Sequence, residues 1–104
     1  MKTDDSKTTY LLEAVLALKN LDEARRFFRD LLTSAEIEEF GTRWQAAKML
    51  NAKISYNAIV KQTGLSTTTI ARISKWLKRG RGGYKLMLKR QNHHNPKSFE
   101  KGLS

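Results

Sequence analysis

The residues able to do chemistry in this chain of 104 residues are chiefly cations and small hydroxyls. Residues 1 to 39 hold six Lys/Arg and nine Asp/Glu, whereas residues 40 to 104 hold fourteen Lys/Arg and a single acid, Glu100. The two parts therefore carry about −3 and +13 of the formal +10. Charge added for solubility would intersperse both signs; a stretch with one acid among fourteen bases attracts a polyanion. Catalysis has little to work with. There is no Cys, which removes thiolate nucleophiles, thiolate metal sites and disulfides. No glycine-rich phosphate loop opens a helix, and no carboxylate and histidine share a face. His93 and His94 are adjacent rather than a helical turn apart, so they do not form a metal site. The chain is expected to be no enzyme and to hold neither metal nor cofactor.

Within the basic part, Ser66, Thr67 and Thr68 open a segment that also presents Ala71 and closes on Lys75, Lys78 and Arg79. A helix with small hydroxyls near its start can press on base edges in a major groove, where hydroxyls and methyls meet amino, carbonyl and thymine methyl groups. Cations near its end would meet phosphates and fix the register. Immediately before it, Ser55 to Thr63 reads as a short helix carrying Asn57 and Lys61, and Gly64 supplies a left-handed residue at its end. Two short helices about such a turn, spanning about 55 to 78, form a helix-turn-helix. Ile59, Leu65, Ile70 and Ile73 have the spacing to pack the pair together. The candidate DNA contacts are Ser55, Asn57, Lys61, Ser66, Thr67, Thr68, Ala71, Lys75, Lys78 and Arg79.

The elements that must position this pair are also helical, since apolar residues recur at helical spacing and strand-like alternation is missing. A first helix is expected from about Thr9 to Lys19, so apolar on several sides that it must be buried. Asn20 with Glu23, and Thr33 with Glu36, have the spacing of capping boxes for a second and third helix. The third should bury Ile37, Phe40, Trp44 and Ala47. After a Gly80 to Gly83 hinge, a short last helix is expected from Tyr84 to Arg90. Residues 1–8 and the basic tail 91–104 are expected to be flexible, flanking an all-α domain over 9–90. The apolar set Leu12, Leu16, Phe27, Phe28, Phe40 and Trp44 exceeds what two short helices can cover, and points to a homodimer core. No apolar run approaches the roughly 20 residues that cross a bilayer. No membrane partner and a cytoplasmic location are expected.

From Leu31 to Lys78 the chain resembles the Trp repressor superfamily. The run Leu32-Thr33-Ser34-Ala35-Glu36-Ile37-Glu38-Glu39-Phe40-Gly41-Thr42-Arg43 is similar to that family's helix-opening motif. Gly64 and Thr69-Ile70-Ala71-Arg72 fall in matching places, and Gly83-Tyr84-Lys85-Leu86-Met87-Leu88 is similar to the YerC/YecD-type branch. The resemblance, which covers roughly residues 8 to 90, implies a six-helix subunit in an intertwined homodimer and binding to a pseudo-palindromic operator on double-stranded DNA.

It also implies where a corepressor would sit. Arg43 and Arg72 match the two arginines that sandwich an indole in that family, and Leu32 and Thr33 match its amino-acid end. Ile73 stands where the family has glycine, and Trp76 where it has a small serine, so both add bulk to the site. The six residues are expected to be a vestigial pocket, with the Trp76 indole stacked on an arginine and no control by L-tryptophan; the effector, if any, is unknown. The function expected is a sequence-specific regulator of transcription, a repressor in the family's manner. The alternative is a basic protein that binds nucleic acid non-specifically, using the tract Lys78-Arg79-Gly80-Arg81-Gly82-Gly83.

Overall fold

A computed structural model describes residues 6–94, with side chains as far as residue 91. Six helices follow one another: α1 Ser6–Ala17, α2 Leu21–Leu31, α3 Ser34–Asn51, α4 Tyr56–Thr63, α5 Thr67–Arg79 and α6 Gly83–His94. No strand occurs among the described residues. They fall into two compact units that divide between Glu38 and Glu39, within α3.

The N-terminal unit owes its helix starts to side chains that take up free backbone N–H groups. Asn20 Oδ1 accepts from the Glu23 N–H at 2.9 Å, while Glu23 Oε1 accepts from the Lys19 N–H at 2.9 Å. Thr33 and Glu36 form the reciprocal box: the Glu36 N–H donates to Thr33 Oγ1 at 3.1 Å and the Thr33 N–H to Glu36 Oε1 at 2.9 Å. Both expected caps are therefore present, the first as a variant of the box in which Glu23 bonds the residue before the cap. The burial expected of the first helix is not, because neither α1 nor α2 contains a buried residue. Leu12 is 54% and Leu16 83% exposed. Phe27 and Phe28 meet edge to face, 5.5 Å between centroids, and are half-buried. Two helices of eleven or twelve residues can cover only one stripe of each other.

The C-terminal unit has its own core. Ala46, Ala47 and Met49 of α3 meet Ile59 of α4 and Ile70 and Ile73 of α5, each at most 1% exposed. Trp44, Leu50, Ile54, Val60, Leu65 and Tyr84 pack around them. The seam expected between α4 and α5 is present. The expected inner face of α3 is corrected: Ala47 is buried, Trp44 and Ile37 are half-buried and Phe40 is 48% exposed, so the buried surface begins at Ala46. That is the stretch α4 and α5 cover. Leu88 anchors α6 at 4% exposure.

Turn chemistry joins these helices. α3 ends on Lys53 at φ 66, with the Ile54 N–H reaching Met49 O at 3.1 Å and the Lys53 N–H reaching Leu50 O at 3.0 Å. This is the Schellman pattern with a lysine in the left-handed place that glycine usually fills. Two boundaries also move. α1 begins at Ser6, within the expected flexible N-terminus, whose residues 1–5 lie outside the described residues. α6 runs to His94 rather than Arg90, so residues 91–94 are helical where a loose tail was expected. No Gly or Pro follows Gly83 until Pro96, which leaves nothing to stop the helix earlier. Residues 95–104 of that tail lie outside the described residues.

Candidate nucleic-acid interface

The helix-turn-helix is set locally at both ends. Ser55 Oγ accepts the Ala58 N–H at 3.2 Å to start α4, and Ser66 Oγ accepts the Thr69 N–H at 3.1 Å to start α5. Gly64, at φ 76, closes α4 by donating its N–H to Val60 O at 2.9 Å. A residue with a Cβ is strained at that φ, so the tight turn favours glycine. Thr63 adds a second tie: its hydroxyl donates to Ile59 O at 2.7 Å and accepts the Leu65 N–H at 3.2 Å. With Ile59, Ile70 and Ile73 buried in the seam, the rotation of α5 about its axis is fixed.

That rotation leaves all ten candidate DNA contacts exposed: Ser55, Asn57 and Lys61 on or before α4, and Ser66, Thr67, Thr68, Ala71, Lys75, Lys78 and Arg79 on or before α5. They are not chemically equal. The Ser66 hydroxyl donates to Thr69 Oγ1 at 3.0 Å as well as capping α5, so its proton is engaged. Ser55 keeps a free hydroxyl proton while its oxygen caps α4. Thr67, Thr68 and Ala71 thus supply the uncommitted groups on the first turns of α5. No Asp or Glu occurs from Phe40 to His94, so the cations of α4 and α5 have no carboxylate in their own stretch.

The six residues of the supposed effector pocket are distributed otherwise. Leu32 and Thr33 belong to the N-terminal unit, where Thr33 is occupied as the cap of α3. In the C-terminal unit, Arg43 pairs with Glu39 one turn earlier and lies 5.9 Å from the centre of the Phe40 ring. Ile73 points into the core instead of adding bulk to an open pocket. Arg72 is exposed. Trp76 does not stack on an arginine as expected; it is 46% exposed and lines a cleft to which Arg72 does not contribute. Its place one turn after Arg72 sets spacing alone, and the cleft it lines lies beside the bend at Gly80. There the Gly80 N–H donates to Trp76 O at 2.8 Å, and a Cβ on Gly80 would lie 2.4 Å from that same oxygen.

This cleft, of about 840 Å³, was not foreseen from the sequence. Its walls are Trp44, Trp76, Tyr84 and Met87, with Lys75, Arg79 and Arg81 alongside and the Gly80 and Gly83 backbone at the bend. Trp44 stacks on Tyr84 at 6.1 Å between centroids and 17° between planes, so part of an aromatic assigned to a dimer core is accounted for within the chain. The run of glycines was the available signal, since it lets α6 turn back along α5. Among the described residues no group of three metal-ligating side chains occurs, and no helix is long and apolar enough to cross a membrane. The side chains of His93 and His94 lie outside the described residues.

Comparison with known proteins agrees with this architecture. The profile of the Trp repressor protein family matches residues 6–92. The chain is 37% identical over 91 residues to YerC of Bacillus subtilis (strain 168), an uncharacterized protein, covering 88% of each chain. A TrpR-like protein from Eubacterium eligens superposes with a TM-score of 0.82 at 39% identity, covering 86% of this chain and 92% of that one. A candidate Trp repressor from Staphylococcus aureus superposes with a TM-score of 0.82 at 36% identity, covering 88% and 91%.

Proposed function

The chain belongs to the Trp repressor family of DNA-binding regulators, and from that premise we propose that it is a sequence-specific regulator of transcription, a repressor in its family's manner. It reads double-stranded DNA as a homodimer and does so without L-tryptophan. The observation that carries the reading is α5 itself. A helix whose rotation is fixed by three buried isoleucines turns Thr67, Thr68 and Ala71 outward at one end and Lys75, Lys78 and Arg79 at the other.

On that reading the start of α5 enters a major groove. Thr67 and Thr68 hydroxyls exchange hydrogen bonds with base edges, and the Ala71 methyl meets a thymine methyl. Ser55 before α4 and Asn57 and Lys61 on it, with Lys75, Lys78 and Arg79 on α5, grip phosphates on either side. Ser66 serves mainly to hold the helix start in place. Each cation that meets a phosphate should steepen the loss of affinity with salt by about 0.9 in log–log slope.

The dimer would be built on Leu12, Leu16, Phe27, Phe28 and Phe40, with Trp44 at its edge. Support comes from the exposure of Leu12, Leu16 and Phe40 in the single chain, an apolar surface that water disfavours. Independence from L-tryptophan is supported by the engagement of Arg43 with Glu39 and Phe40 and by the burial of Ile73. The protein would act where bacterial DNA lies, in the cytoplasm.

Selection from a random duplex library tests the reading. Two-fold symmetric sites with half-sites about 34–36 Å apart are expected. Recovery of unenriched sequence would instead favour the non-specific nucleic-acid binder, for which the Lys78 to Gly83 tract is the supporting feature. Calorimetry with L-tryptophan should show no binding at micromolar concentrations, and DNA affinity should not change when it is added.

A further inference from the structure

We propose that Arg72 determines sequence specificity, its guanidinium taking a guanine in the major groove through O6 and N7. This role rests on the DNA-binding reading of α5 and adds to it the residue that chooses a base. Arg72 is the first cation along α5, ahead of Lys75, Lys78 and Arg79. It is exposed, as are Thr68 one turn before it and Ala71 beside it, while Ile70, Ile73 and Ser74 are buried. Residues four apart share a face of a helix, so Arg72 continues the strip of Thr68 about 6 Å along the axis. Helical side chains lean toward the helix start. The Arg72 stem therefore leads back over Thr68, toward the end of α5 whose residues meet base edges when a recognition helix enters a groove.

Nothing within the chain claims the guanidinium. Arg26 pairs with Asp22, and Arg43 pairs with Glu39 and lies against Phe40, but among the described residues Arg72 has neither an ion pair nor a ring beneath it. It does not line the cleft at Trp76 either. The Thr69 hydroxyl is engaged by Ser66, which leaves the short side chains of Thr68 and Ala71 as its neighbours toward the helix start. A threonine hydroxyl both donates and accepts, so it suits more than one base. A guanidinium only donates, and guanine presents two adjacent acceptors, O6 and N7, to its planar fork. Arg72 thus supplies the fixed demand that a strip of hydroxyls lacks. Lys75, Lys78 and Arg79, further from the helix start, remain for the phosphates.

Selection of bound sequences from a random duplex library by the full chain and by its Arg72→Ala and Arg72→Gln variants tests the assignment. The unaltered chain should enrich a guanine at one fixed position of each half-site. Arg72→Ala should leave the four bases about equally frequent there, with the rest of the motif kept. Arg72→Gln should move the preference to adenine, whose N7 and N6 amino group match a side-chain amide. On duplexes that differ only in that base pair, the unaltered chain should favour guanine by about tenfold or more. Because the side chain is exposed, all three proteins should share one melting transition. A guanine preference kept by either variant, or a motif with no guanine at a fixed position, would overturn the role of Arg72. An equal loss of affinity on every duplex, with a salt slope lower by about 0.9 per copy, would overturn it too, by making Arg72 a phosphate contact. Enrichment of no motif by the unaltered chain would instead contradict the reading of α5 itself, and the proposal with it.

Discussion

The two units of this chain solve the problem of burial in opposite ways. The C-terminal unit encloses Ala46, Ala47, Met49, Ile59, Ile70 and Ile73, caps both helices of its helix-turn-helix, and carries all the excess positive charge. The N-terminal unit is weakly acidic, caps the starts of α2 and α3, and has no fully buried residue in α1 or α2. Caps set where a helix starts, but apolar burial supplies most of its stability. The comparison teaches that one unit is stabilised from within while the other leaves the apolar side chains of α1 and α2 largely uncovered, and that the proposed DNA-reading surface sits on the former.

The largest effect should come from breaking the self-sufficient unit. Ile70→Ala removes a fully buried side chain between α4 and α5 and should destabilise the protein by about 2–5 kcal/mol in urea melts. DNA binding should fall with it as the orientation of α5 is lost. A loss under 1 kcal/mol would mean that the seam does not hold the pair together.

The next effect separates the units. Leu16→Glu lies on a side chain 83% exposed in the single chain, so the chain alone should tolerate it. In a dimer the same change buries a charge, and sedimentation should show a shift toward monomer at micromolar concentration. The dependence of melting temperature on protein concentration should vanish in parallel. An unchanged dimer would remove α1 from the interface.

Smaller effects sharpen the account of the turn and the caps. Ser66→Ala should cost about 1 kcal/mol, because the Thr69 N–H and hydroxyl both lose their partner. Lys53→Gly should leave stability unchanged or raise it by up to about 1 kcal/mol, since glycine adopts φ 66 without a Cβ clash. Thermal melts of the two variants should move in opposite directions or the second not at all; a large loss in Lys53→Gly would mean that the lysine side chain has a role of its own.

What could be read in the sequence was chiefly local. Asn20, Thr33, Ser55 and Ser66 announced helix starts because a short polar side chain before an apolar run has few other uses, and each caps as expected. Gly64 announced its turn for the same kind of reason. The α4–α5 seam was legible because isoleucines at fixed spacing leave little choice of face. The turn at Lys53 was visible only as a break, since a lysine gives no sign of left-handed backbone. The apolar pattern of α1 says that the helix needs cover without saying what covers it, and the helix alone does not bury itself. Trp76 differs for a related reason: spacing places it near Arg72, whereas it lines a cleft with Tyr84 and Met87 of α6. Such a cleft depends on residues forty positions apart, which periodicity along one helix does not relate.

The most direct test compares affinity for a selected duplex with affinity for random duplex of the same length at one fixed salt concentration, using the intact chain and a Thr67→Ala/Thr68→Ala variant. A preference of roughly a thousandfold or more is expected for the intact chain, falling by an order of magnitude or more in the variant, with affinity for random DNA about unchanged. A preference near one in the intact chain, or one that the variant keeps in full, would contradict the assignment of α5 as the reader of sequence.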